Sequence, residues 1–278
     1  MTSSAAASTA RRTSPLKWTG LIALGFVTDF LDTLGVGSFA TTSTALKLGK
    51  VCEDEYIPGT LNVGHALPTI LEAVLYITVI NVERFTLVSM IAAGAVGSWF
   101  GAGIVSGWPR RTIQRALAVA LLATALVISF RQLHLFPPGG EALGLSGGLL
   151  VIGIVANAAF GALCTLGIGN YAPSLALISM LGMNPTAAFP IMMGSAAVFL
   201  PVGGLRFIKS KRYHRATVLG LTIGGLPGVL VAALIVKSLP LDAVRWLVVG
   251  VLTYTSALMW NSSRSTAPDA GAMESAPA

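Results

Sequence analysis

Charge is what this sequence has least of. Asp, Glu, Lys and Arg make up 10% of its 278 residues, where a soluble domain carries about 25%. From Ala142 to Leu205 there are 64 consecutive residues without an ionisable Asp, Glu, Lys, Arg or His, and Ala216 to Val236 adds another 21. Hydrophobic residues reach 54% and mean hydropathy is +0.77. Apolar runs of about 20 residues, enough to cross a bilayer, recur along the chain. These features exclude a soluble globular class and leave little room for a soluble domain between blocks. The net charge of +7 then reads as loop charge held on the cytoplasmic side, and no nucleic-acid partner is expected.

Cysteine is scarce too. Cys52 falls in a charged loop and Cys164 in an apolar run, so a free loop thiol and a packing residue are expected rather than a disulfide or a metal pair. Two enzyme signatures are missing: there is no H-E-x-x-H and no P-loop. "GAGIVSG" (Gly101–Gly107) closes an apolar run and reads as a helix-packing string. Neither catalysis, a cofactor nor a metal is expected. Residues 1–17 and 261–278 read as disordered tails. The Arg11-Arg12 pair is followed by no small-residue cleavage site, so an uncleaved cytoplasmic tail is expected.

What the sequence does contain is a repeat. "TLGVGSFA" (Thr33–Ala40) matches "TLGIGNYA" (Thr165–Ala172) at five of eight positions. "GAVGSWFGAGIVSGWP", ending at Pro109, lines up with "GGLPGVLVAALIVKSLP", ending at Pro240, and sets Gly97 opposite Gly228. Apolar helices follow from Ile113 and Val244, and the offset stays between 130 and 132 residues. The chain divides into a first membrane repeat over 18–135, a linker over 136–146 and a second repeat over 147–260. Internal duplication marks many secondary transporters.

Each half holds four hydrophobic regions: 18–48, 58–81, 85–107 and 112–131, then 147–181, 186–204, 216–237 and 242–260. The first of each half is too long for one span and too short for two, with Gly-x-Gly at its middle. If each first region crosses once, the 18 Lys and Arg split 11 inside and 7 outside. If each turns back at its glycines, the split is 14 inside and 4 outside, which the positive-inside rule favours. The expected fold is therefore an all-α transmembrane bundle of two inverted repeats. Each repeat has a broken or re-entrant first region plus three full spans, with both termini cytoplasmic.

Broken backbone at membrane depth is tolerated only inside protein or beside a watery cavity. Half-helix N-termini there offer free N–H groups and partial positive charge, which suit an anion. Candidate substrate-binding residues are Thr33, Gly35, Gly37, Ser38, Thr41 and Thr42, with Thr165, Gly167, Gly169 and Asn170 in the second half. The alternative is that these glycines only allow tight helix packing. Asp29, Asp32, His65 and Glu72 are ionisable residues in membrane segments and are candidates for coupling by default. Asp29 and Asp32, three apart, either take up a proton or a coupling cation or cap the broken helix. His65 and Glu72, seven apart, form either a proton relay or a satisfied polar pair.

The stretches "DTLGVGSFATT" and "TLGIGNYAP", in two homologous halves of a chain this size, resemble the TauE/SafE sulfite exporter family. The resemblance runs from about Trp18 to Trp260. The family's turn has the form G-x-G-G followed by proline. Here Ser38 and Asn170 replace the second glycine of the pair, and Pro173 is the nearby proline, in the second half alone. The resemblance implies a bacterial inner-membrane permease, an exporter of sulfite or related sulfur anions, without a prosthetic cofactor. A channel-like anion pore, or a permease for another organic anion, is the alternative. The partners expected are the small anion and the lipid bilayer, with a homodimer as an option. Single cysteines placed at Lys50 and Lys211 should both react with a membrane-impermeant maleimide from the cytoplasmic face alone. Labelling of either from the outside would overturn the turned-back topology.

Overall fold

The computed structural model describes residues 15–34, 37–135, 139–167, 169–235 and 241–265. Gly35 and most of both expected tails lie outside the described residues. The first hydrophobic region is two helices, α1 (Pro15–Thr33) and α2 (Ser38–Leu48). A 3-10 turn over Asp54–Tyr56 leads into α3 (Ile57–Gly64) and α4 (Ala66–Val79), followed by α5 (Arg84–Val105) and α6 (Arg110–Gln132). The second half opens with another pair, α7 (Gly147–Cys164) and α8 (Tyr171–Met180). A 3-10 turn over Pro185–Ala187 precedes α9 (Ala188–Lys209), then α10 (Arg215–Ile235) and α11 (Leu241–Ser265). Among the described residues there is no strand, only an isolated bridge between Ala142 and Met183.

Among the described residues, six stretches are long and apolar enough to cross a membrane: 54–79, 84–105, 110–130, 147–164, 185–209 and 215–234. By contrast α2, with 11 residues, and α8, with 10, rise only about 15 Å at 1.5 Å per residue. That is half a hydrocarbon core of about 30 Å. The surface is inverted relative to a soluble protein. Phe100 is 66% exposed and Leu234 85%, while Asp29, His65, Glu72 and Asn157 are wholly buried. Apolar side chains face outward as a lipid environment demands, and the polar ones are kept inside.

One break was not legible in the sequence. The region over 58–81 is divided at His65, which ends α3 and starts α4. Pro68 supplies the cause: it has no N–H to bond the carbonyl four residues back, and its ring crowds that carbonyl. The carbonyl in question is that of Gly64, which instead accepts a bond from Thr222 Oγ1 of α10 at 2.8 Å. A proline break is thereby satisfied by a neighbouring helix.

Small residues set the helix contacts. α1 packs along α10 and α7 along α5, and α9 packs on both α4 and α5. A Cβ added to Gly97 would strike the Ala158 backbone, and one added to Gly228 the Phe26 backbone. The two contacts correspond: Gly97 and Gly228 are 131 apart, Phe26 and Ala158 are 132 apart. The aligned glycines thus do the same job in both halves, letting one backbone lie against another. Paired contacts also give direction. Leu21 meets Gly220 and Phe26 meets Gly228, so α1 runs parallel to α10; Gly94 meets Asn157 and Gly101 meets Ala162, so α7 runs parallel to α5.

Polar contacts gather at two ends. At one, Asp54 accepts from Lys47 at 2.5 Å and from Gln114 Nε2 at 2.8 Å. Arg212 donates to the Trp108 carbonyl at 2.9 Å, and His214 N donates to Thr60 Oγ1 at 2.9 Å. At the other end Glu83 N donates to Leu143 O at 2.8 Å, and Asn184 N to Ala142 O at 2.8 Å. The Glu83 carboxylate also accepts from Thr86 N and Phe85 N, donors that hold its carboxyl below the usual carboxylate range. In the loop after α2, burial and the Asp54 and Glu53 carboxylates push the Cys52 thiol up to about 12, so it reacts poorly with thiol reagents.

Gly97→Val and Gly228→Val should each destabilise the protein by about 1–3 kcal/mol through overpacking. Gly20→Ala, where nothing lies within 4 Å of an added Cβ, should be neutral or slightly stabilising. Thermal unfolding in detergent compares the three.

Candidate functional site

Both half-helices begin at a cavity of about 20 Å³. The first half contributes Asp32, Gly37, Ser38 and Phe39; the second contributes Cys164, Gly169, Asn170 and Tyr171. Each residue of the first set is 132 positions before its partner in the second. Thr69 of α4 and Met193, Ala196 and Leu200 of α9 complete the walls. The last glycine of each Gly-x-Gly, Gly37 and Gly169, therefore lines the same cavity, at equivalent positions.

Local backbone explains why glycine stands there. Gly37 has φ 89° and ψ 122° as the residue before α2, a conformation that L side chains avoid. Nothing lies within 4 Å of a Cβ placed on it, so conformation and not space requires glycine. Gly167 also has positive φ, 91°, and its Cβ would come within 2.9 Å of Leu117. Neither half-helix is capped by its own N-cap side chain: Gly37 has none, and Asn170 turns its amide to the Met192 carbonyl at 2.9 Å; the Asp32 carboxyl instead reaches Ser38 at the start of α2. Each helix start leaves N–H groups without intrahelical partners and carries the equivalent of about half a positive charge.

A ladder of buried polar bonds flanks the cavity and ties α1 to α2 and α4. His65 Nδ1 pairs with Asp29 Oδ1 at 2.7 Å, and His65 Nε2 lies 3.0 Å from Thr42 Oγ1. Thr33 Oγ1 lies 2.7 Å from Glu72 Oε1 and 2.9 Å from the Asp29 carbonyl. Tyr76 OH donates to the Thr33 carbonyl at 2.6 Å, and Ser38 Oγ donates to Asp32 Oδ2 at 2.6 Å. His65, Thr69, Glu72 and Tyr76 follow at intervals of four, three and four, one face of α4. Asp29 Oδ2, Glu72 Oε2 and Thr69 Oγ1 are buried without a hydrogen-bond partner. A Cβ on Gly225 would overlap Asp29 Oδ2, so that glycine in α10 makes room for the carboxylate.

The candidate residues fall into three groups. Gly37, Ser38, Gly169 and Asn170 line the cavity together with Asp32. Thr33, Thr41, Thr42 and Thr165 turn their hydroxyls to other partners. Thr41 bonds the carbonyls of Gly37 and Ser38, and Thr165 that of Ala162 at 2.6 Å. Gly167 shapes the second break, and Gly35 lies outside the described residues. His65 and Glu72 do not bond each other; each is joined to α1 instead. Asp29 is held by His65, while Asp32 sits against the first residue of α2.

Sequence reasoning missed Phe39, Tyr171, Cys164, Thr69 and the α9 wall. Phe39 and Tyr171 lie within the matched octapeptides, and Thr69 sits between His65 and Glu72 at helical spacing, so both signals were present. The α9 wall carries no such mark. Comparison of the chain with protein-family models, with curated proteins and with solved structures finds no match.

Thr33→Val should cost about 1–3 kcal/mol, because it leaves the buried Glu72 carboxyl without its partner. Adding Glu72→Met should recover much of that loss. Thermal unfolding of the single and double variants checks it, and additive losses would show the bond to be idle.

Proposed function

We propose that the protein is a secondary transporter of small sulfur-containing anions such as sulfite, thiosulfate or organosulfonates, and that it works as an exporter by alternating access. The observation that carries this reading is the convergence of two half-helix N-termini on one cavity through matched residues. Their N–H groups and dipoles suit an oxyanion without a buried Lys or Arg. The cavity has room for a water molecule but not for a sulfonate, which favours a carrier in a closed state over an open pore. The resemblance of both Gly-x-Gly stretches to the TauE/SafE family agrees with it.

An inverted repeat is part of the same reading. α1 runs parallel to α10 and shares its starting end with Lys47 at the close of α2. α7 runs parallel to α5 and starts at the opposite end, where Met183 follows α8 and bonds Gly140 at 3.0 Å. Each first region thus leaves and returns at one end, and the two regions use opposite ends. Alternating access by rocking one repeat against the other needs such a pairing. Lys47, Lys50, Arg110 and Arg212 gather at the end assigned to the cytoplasm, in a bacterial inner membrane, and a cavity of about 550 Å³ opens there beside Lys50 and Arg110.

Reconstituted protein should carry labelled thiosulfate or sulfite in a saturable manner. Gly35→Leu and Gly167→Leu should each abolish that flux while leaving membrane insertion intact. Single-channel currents would replace the carrier with a pore. Failure of sulfite, thiosulfate and a sulfonate alike to raise the unfolding temperature would remove the sulfur-anion assignment.

A further inference from the structure

The walls of the cavity match in position but not in charge. Among the described lining residues Asp32 is the one Asp, Glu, Lys, Arg or His, and its counterpart is Cys164. Asp29 and Glu72 are fully buried beside it and do not line the cavity, whereas Asp32 retains 9% exposure. Its Oδ2 is held by Ser38, the first residue of α2, so a carboxyl group occupies a helix N-terminus, the place where an anion is most stable. A second feature points to a guest: Thr69 Oγ1, 2% exposed, faces the same cavity and has no hydrogen-bond partner.

Charge balance links these facts. The two helix N-termini supply the equivalent of about one positive charge. An ionised Asp32 balances it, and a monovalent anion balances it equally. Both together would place two negative charges in one low-dielectric site, which repel strongly. Resting on the transport reading above, we propose that Asp32 is the resident anion of the empty site, and that each cargo anion enters together with one proton that neutralises Asp32. Cargo and proton then move in the same direction, and a sulfonate crosses without net charge. Titratable groups face Asp32 from α1, α4, α7 and α8 and from His65 between α3 and α4. Asp29 on α1 and His65 before α4 pair with each other. Glu72 on α4 is bonded to Thr33. Tyr76, Cys164 and Tyr171 face it from α4, α7 and α8, and α9 presents only Met193, Ala196 and Leu200.

The test uses methanesulfonate, which stays fully ionised across the range, on the full chain in proteoliposomes and in detergent. Wild-type protein should take up about one proton per anion, with flux unaffected by a clamped membrane potential. Its apparent affinity, read from thermal stabilisation, should weaken by about tenfold per pH unit once Asp32 ionises. Asp32→Glu should keep that slope, and Asp32→Asn should flatten it to about one. A wild-type flux that carries net negative charge without proton uptake overturns the proposal and leaves the transport reading standing. An unchanged slope in Asp32→Asn overturns it as well. Absence of any binding or flux with methanesulfonate, sulfite and thiosulfate removes both readings. If Asp32→Asn does not reach the membrane, the wild-type proton-to-anion ratio decides alone.

Discussion

Loose backbone in a medium without water is the constraint on which this molecule turns. A helix that stops inside a bilayer exposes N–H and C=O groups that lipid cannot satisfy, each at a cost of several kcal/mol. Among the described residues the apolar regions are interrupted three times: after Thr33, after Gly64 and after Cys164. At Gly64 a threonine hydroxyl from α10 closes the account. At the other two the helices α2 and α8 both start at one shared cavity. The rest of the fold serves to bring those two starts together and shield them.

That shielding depends on close approach. Gly97 against Ala158 and Gly228 against Phe26 let α5 meet α7 and α10 meet α1 backbone to backbone. Any side chain there would hold the paired helices apart and open the breaks to lipid. The polar ladder of Asp29, His65, Thr42, Thr33 and Glu72 fixes the first half in a second way. Its bonds are specific in partner, so they set the rotation of α1 about its axis, which apolar packing alone does not.

The halves match in sequence at the cavity and differ in chemistry. Ser38 and Asn170, or Phe39 and Tyr171, are conservative exchanges at equivalent walls. Asp32 and Cys164 are not, nor are Asp29 and Gly161, its counterpart at the same offset. Matched positions of the two halves line the cavity, and the difference of a few side chains places the ionisable group on one side of it. A symmetric pair of carboxylates would have doubled the negative charge where two dipoles supply about one unit of positive charge.

The amino-acid order by itself determined the class, the duplication and the two glycine breaks. Helix-length apolar runs, a matched octapeptide and positive loop charge are local signals, readable wherever they stand. It also marked Asp29, Asp32, His65 and Glu72 as costly, because a charge in hydrocarbon is costly whatever its neighbours. Partnership was decided only by the tertiary structure. That His65 bonds Asp29 rather than Glu72, that Thr42 turns from the cavity while Thr69 faces it, and that Pro68 breaks its helix against Thr222 all depend on which helices lie side by side. Contacts between residues tens to hundreds of positions apart leave no trace in local pattern, since many partners would satisfy the same polar group equally well.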